Sequence, residues 1–86
     1  MIPHLLTFEV AKHGDELLVH ADEGGLRFLA QIASRLADTI AAGEYDHTHL
    51  MTEDWGGREL SSGQQGTDST LFHHVKVIGW PKKEDT

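Results

Sequence analysis

The side chains with the most chemistry within reach are histidines: His47 and His49, two residues apart, and the adjacent pair His73 and His74. Residues two apart on a strand share a face. His47 and His49 could therefore present both imidazoles to one metal ion, with His73 or His74 as a third ligand and Asp46 or Glu53 nearby in sequence. Imidazole also titrates near neutrality and would be the natural general base of a hydrolase. The rest of the sequence completes neither use. There is no HExxH pattern and no cysteine, and Ser61, Ser62 and Thr52 stand in no GxSxG setting that would make one of them a nucleophile. Glu53, Asp54 and Glu59 cluster, yet an acidic run on a loop is more often solvated surface than an acid–base pair. Gly24-Gly25 lacks the spacing of a phosphate loop. We therefore read the histidines as hydrogen-bonded strand residues and assign no catalytic residue, no metal and no cofactor. The set His47, His49 and His74 is the alternative, a histidine-dependent metal or small-molecule site in a dimer.

The elements that position these residues follow from periodicity. Leu5 to Val10 and Glu16 to Ala21 are β-prone runs separated by the turn-forming Lys12-His13-Gly14-Asp15, which predicts a hairpin with Leu6, Phe8 and Val10 on one face of the first strand and Leu17, Val19 and Ala21 on one face of its partner. Leu26, Leu29, Ala30, Ala33, Leu36, Ala37 and Ile40 recur at spacings of three and four, with Phe28 and Ile32 beside them. They predict an amphipathic helix from Asp22 or Glu23 to Ala42, capped by Asp22 and ended by Gly43. Leu26, Leu29, Ala33, Leu36 and Ile40 are expected to face the sheet. Asp46 to Met51 reads as a third strand and Leu71 to Trp80 as a fourth, joined by a Gly- and Ser-rich loop from Thr52 to Thr70 that is long for so small a domain. The order ββαββ implies an α+β fold, an antiparallel-rich four-stranded sheet covered on one face by a single helix. Leu5, Leu18, Phe72 and Ile78 would then lie on the uncovered face and suggest a homodimer through it.

At 86 residues the chain has room for one core, which we place over residues 1–80, with 81–86 as a flexible tail. No run approaches the ~18 apolar residues of a membrane span, and no secretory leader is recognisable, so a soluble, unprocessed cytoplasmic protein is expected. The net charge of −7, from 14 acidic against 7 basic side chains, disfavours nucleic acid and suits a basic protein partner or solubility alone.

The run His47-Thr48-His49-Leu50-Met51-Thr52-Glu53-Asp54-Trp55-Gly56-Gly57-Arg58-Glu59-Leu60-Ser61, followed by Phe72-His73-His74-Val75-Lys76-Val77-Ile78-Gly79-Trp80, is the most specific feature of the chain. It resembles the bacterial immunity protein 32 family, in which HxHLM, a short acidic spacer, WGG, then EL and a serine follow a helix and precede a strand reading HHVKI or close to it. The resemblance runs from about Asp22 to Trp80. It implies an intracellular antidote that binds and silences a polymorphic toxin and has no turnover of its own. The family fixes neither the toxin's chemistry nor the contact residues. Asp46, Glu53, Asp54 and Glu59 are the expected partner contacts. Trp55 with Gly56 and Gly57 is read as structural, the indole capping the core over glycines at positive φ, and Trp80 as a core or dimer residue.

Overall fold

A computed structural model describes residues 2–82. Strands β1 (Leu6–Val10) and β2 (Leu17–Ala21) form the expected antiparallel hairpin, with Leu6 opposite Ala21, Phe8 opposite Val19 and Val10 opposite Leu17. Directly opposed residues share a face, so these six form the apolar side of the hairpin. Leu6 and Phe8 are buried in the core and Ala21 packs against it, while Leu17 and Val19 lie 59% and 44% exposed.

Helix α1 (Glu23–Ala41) begins where the sequence says it should: the Asp22 carboxylate accepts from the Gly25 N–H at 2.8 Å. Its rotation differs from the expectation. The inward face is Gly25, Phe28, Leu29, Ile32, Leu36 and Ile40, whereas Leu26 is 57% exposed and Ala30, Ala33 and Ala37 are also exposed. The reason lies at Gly25, where any Cβ would overlap the Leu5 carbonyl, so the backbones touch there and that contact sets which arc turns inward. An alanine-rich helix carries apolar residues on two adjacent arcs, and spacing alone does not choose between them.

The single four-stranded sheet of the sequence reading resolves into five strands in two antiparallel sheets, within the same α+β class. Strands β3 (Asp46–Met51), β4 (Thr70–Leu71) and β5 (His74–Gly79) follow the helix. One sheet has the order β2-β1-β4 and the other is the ribbon β3-β5. The segment read as one last strand serves both. The Phe72 N–H donates to the Phe8 carbonyl, and one residue later the His73 carbonyl accepts from Thr52, so the ladder must break between them. Helix α1 packs on β2, β3 and β5 across this junction. The core is Leu6, Phe8, Ile32, Leu36, Leu50 and Leu60, flanked by Phe28, Leu29, Val75 and Val77.

The uncovered face is not one apolar patch. Leu18 faces the loop at 66–69, Phe72 lies by Phe8 and Leu17, and Ile78 is on the outer face of the β3–β5 ribbon. Residues 83–86 of the expected tail fall outside the described residues. Among the described residues no helix is long and apolar enough to cross a membrane.

Candidate functional site

The motif from Met51 to Ser62 folds into a clasp. Thr52, fully buried, turns the chain into a single 3-10 turn, Glu53–Trp55, and its carbonyl accepts from both Trp55 and Gly57. Gly56 takes the left-handed conformation at φ +84°. Gly57 does not; it is glycine because a Cβ would overlap the Met51 carbonyl. The expectation of positive φ at both glycines is thus corrected at Gly57. The chain then returns to the edge of β3 and passes it in parallel: the Leu60 N–H donates to the Met51 carbonyl, and the Glu59 carboxylate accepts from the Met51 N–H at 3.0 Å. Leu60 enters the core with no exposed surface. Ser61 closes the clasp onto β1, its N–H donating to the Leu6 carbonyl while its hydroxyl accepts from the Leu6 N–H at 3.1 Å.

Trp55 rides on this clasp. Its indole lies flat on the His73 ring, with centroids 5.1 Å apart and planes 4° from parallel, and His73 Nδ1 is 2.7 Å from the buried Thr52 hydroxyl. The indole nevertheless stays 58% exposed, so it does not cap the core; one face is held by His73 and the other is presented outward. Glu53 and Asp54 stand exposed beside it, and the Asp54 N–H donates to the Ser62 hydroxyl at 3.0 Å.

The second half of the long loop is ordered by an acid that sequence reasoning passed over. Glu9 in β1 has no exposed surface, and its carboxylate accepts from the N–H groups of Gln65 (2.9 Å) and Gly66 (3.0 Å), the Thr7 hydroxyl (2.8 Å) and the Ser69 hydroxyl. Burial alone would raise its pKa. The hydrogen bonds from Ser69, Gln65, Gly66 and Thr7 outweigh that and lower it from 4.5 to about 2. Thr52 to Thr70 is thus a roof bonded to β1 at Leu6 and Glu9. The available signals were a lone leucine at position 60 in a polar loop and a carboxylate inside a strand pattern.

The histidines converge on the outer face of the β3–β5 ribbon. Opposed pairs His47/Ile78, His49/Lys76 and Met51/His74 share that face. His49 Nδ1 lies 2.7 Å from His74 Nε2, and the His47 ring meets His49 edge-on at 5.1 Å. Partial desolvation, followed by His74, His47 and Lys76, lowers the pKa of His49, which favours the neutral ring that can share one proton with its neighbour. His47 departs from the expected pattern: its Nδ1 is buried without a hydrogen-bond partner among the described residues, and its ring packs against Tyr45. Among the described residues, no group of three or more His, Cys, Asp or Glu side chains is arranged to hold a metal ion. Trp80 is not a core residue. It is 68% exposed and contacts Tyr45 at 4.8 Å.

Of the expected contact residues, Glu53 and Asp54 are exposed together next to Trp55. Asp46 is half-buried and its carboxylate accepts from the His47 N–H at 2.8 Å, and half-buried Glu59 holds Met51. The geometry thus divides the motif into residues that build the clasp and residues that the clasp displays.

Comparison with known proteins agrees with the motif. The family model for immunity protein 32 matches residues 16–79, which takes in β2, the helix, the clasp and all of β5. No curated protein and no solved structure matches the chain. With most of its length matched, the chain belongs to the immunity protein 32 family.

Proposed function

We propose that this protein binds and neutralises a cognate polymorphic toxin in the cytoplasm, covering the toxin's active site or substrate groove, with no turnover of its own. The observation that carries this reading is the family match over residues 16–79. A net charge of −7 favours a partner with a basic contact surface and disfavours nucleic acid or an anionic membrane. Within the expected contact set, Glu53 and Asp54 have the stronger claim, because both stand exposed whereas Asp46 and Glu59 are half-buried. Exposed Trp55 joins them as an aromatic anchor beside the two acids, since tryptophan is enriched among binding hot spots.

A homodimer has less support, because the residues that suggested it are dispersed over separate surfaces. Co-expression with the cognate toxin, to be sought in the reading frame beside the gene, tests the reading. Cells carrying both should survive, and cells carrying the toxin with an unrelated acidic protein of similar size should not. Equal killing in both would reject it.

A further inference from the structure

Strand β2 is an open sheet edge, and the hydrogen-bond pattern tells which of its groups are free. Outside the paired strands, Ala11 donates to the Glu16 carbonyl and Asp22 to the Leu5 carbonyl. On the other side of β1, Ser61 donates to the Leu6 carbonyl and Phe72 to the Phe8 carbonyl. Antiparallel ladders alternate bonded and non-bonded pairs, so Glu9/Leu18 and Thr7/His20 are the bonded pairs of the hairpin. The N–H and C=O groups of Leu17, Val19 and Ala21 therefore point outward, and β2 pairs with β1 alone among the described residues.

The edges of the β3–β5 ribbon are guarded. The outer edge of β3 is occupied at Met51 by Leu60 and Glu59 and at His47 by the Asp46 carboxylate, and β5 carries Lys76. In contrast, Leu17-Leu18-Val19-His20-Ala21 has no lysine, no proline and no acid, and Leu17 and Val19 are exposed. Leu17 also lines an apolar cleft of about 210 Å³ with Phe8, Phe72 and Val75, so the surface beside the edge is apolar too. Such an edge is a template for another strand.

We infer that β2 is completed in the complex by an extended segment of the toxin, which adds as a strand to this edge and carries alternating apolar residues bracketed by lysine or arginine. This rests on the toxin-binding reading above. The chemistry of the occupant follows from the ends of the strand. Exposed Asp15 and Glu16 precede β2, and exposed Asp22 and Glu23 follow it. Lys12 and His13 sit in the adjoining turn, with His13 paired to Asp15, and Arg27 pairs with Glu23 at 3.0 Å, so the brackets are Glu16 and Asp22, the latter exposed although its carboxylate also accepts from the Gly25 N–H. They lie roughly 20 Å apart at 3.3 Å per residue. A second copy of β2 is disfavoured. The antiparallel register that overlaps the whole strand sets Glu16 against Asp22 of the other copy, and like charges directly opposed destabilise pairing.

The test is amide hydrogen exchange on the complex with the toxin domain encoded beside the gene, with Val19→Pro and Val19→Thr as variants. Val19→Pro removes one outward N–H and leaves the bonded pairs of the hairpin intact, whereas Val19→Thr keeps the N–H. The expected result is new protection at Leu17, Val19 and Ala21 on binding. Val19→Pro should bind about tenfold or more weakly, and Val19→Thr should bind close to the unaltered chain. If Val19→Pro does not fold, the exchange pattern of the unaltered complex decides. A complex that forms without protection at these amides overturns the strand addition and leaves toxin binding standing; absence of any complex overturns both. Protection at the same amides in the protein alone, rising with its concentration, would make the occupant a second copy and overturn the assignment to the toxin.

Discussion

The carboxylate of Glu59 accepts a hydrogen bond from the backbone N–H of Met51, eight residues earlier, at 3.0 Å. An acid that reads in sequence as part of a charged recognition loop is instead the brace that ties the loop to β3. Glu59→Ala should destabilise the fold by about 1–3 kcal/mol, the cost of leaving that N–H unpaired. Glu53→Gln with Asp54→Asn should leave thermal unfolding nearly unchanged while slowing association with the toxin, and the slowing should fade with salt, since screening acts over about 8 Å at 0.15 M. Unfolding and stopped-flow association measured on both variants separate the two roles.

Gly56 and Gly57 should differ although they are neighbours. Gly56→Ala meets open space and carries only the left-handed backbone cost, about 1–2 kcal/mol. Gly57→Ala drives a Cβ into the Met51 carbonyl and must displace the clasp, so its loss should be the larger by denaturant unfolding. Equal losses would mean that the close approach at Gly57 is relieved cheaply.

Glu9 makes stability depend on acid. Its folded pKa of about 2 lies below the ordinary 4.5, so the folded state binds fewer protons between these values. Its contribution is complete above about pH 4.5 and is lost as pH falls towards 2. Glu9→Gln should lower stability at pH 7 by about 1–3 kcal/mol and flatten the acid limb of the stability profile, because amide replaces the carboxylate among its donors. A variant with the same acid slope as the unaltered chain would assign that slope to other carboxylates.

The helix offers a paired check. Leu36→Ala should cost about 2–5 kcal/mol, as should Leu60→Ala, because both side chains are buried in the core. Leu26→Ala, on the exposed arc, should stay within about 0.5 kcal/mol. A large loss at Leu26 would mean that the helix is turned the other way.

Much of this architecture is legible in the sequence, because hairpin and helix are governed by local rules. The period of two put Leu6 and Phe8 on one face of β1 and Val19 and Ala21 on one face of β2, and Asp22 announced the helix start. What was not legible depends on contacts between distant segments. The rotation of the helix is set where Gly25 meets Leu5, and a residue without a side chain contributes nothing to a hydrophobic pattern. The order of the 52–70 loop rests on Glu9 and Leu6 meeting residues more than fifty positions away. At the candidate site, the spacing put His47 and His49 on one face, but the choice of His74 over His73 beside them needed the register of β3 with β5, and the flat stack of Trp55 on His73 needed the chain to leave one sheet for the other between Phe72 and His74.

The most direct measurement of the central claim is titration of the cognate toxin's own activity with this protein, using the purified toxin domain sought in the reading frame beside the gene. A binding antidote should abolish activity at an equimolar end point, and the toxin recovered after denaturing separation should be chemically unaltered and active again on refolding. Inactivation by far less than one equivalent, or a toxin that returns covalently changed, would contradict the account and make the protein an enzyme acting on the toxin; no inhibition at any ratio would remove the toxin as its partner.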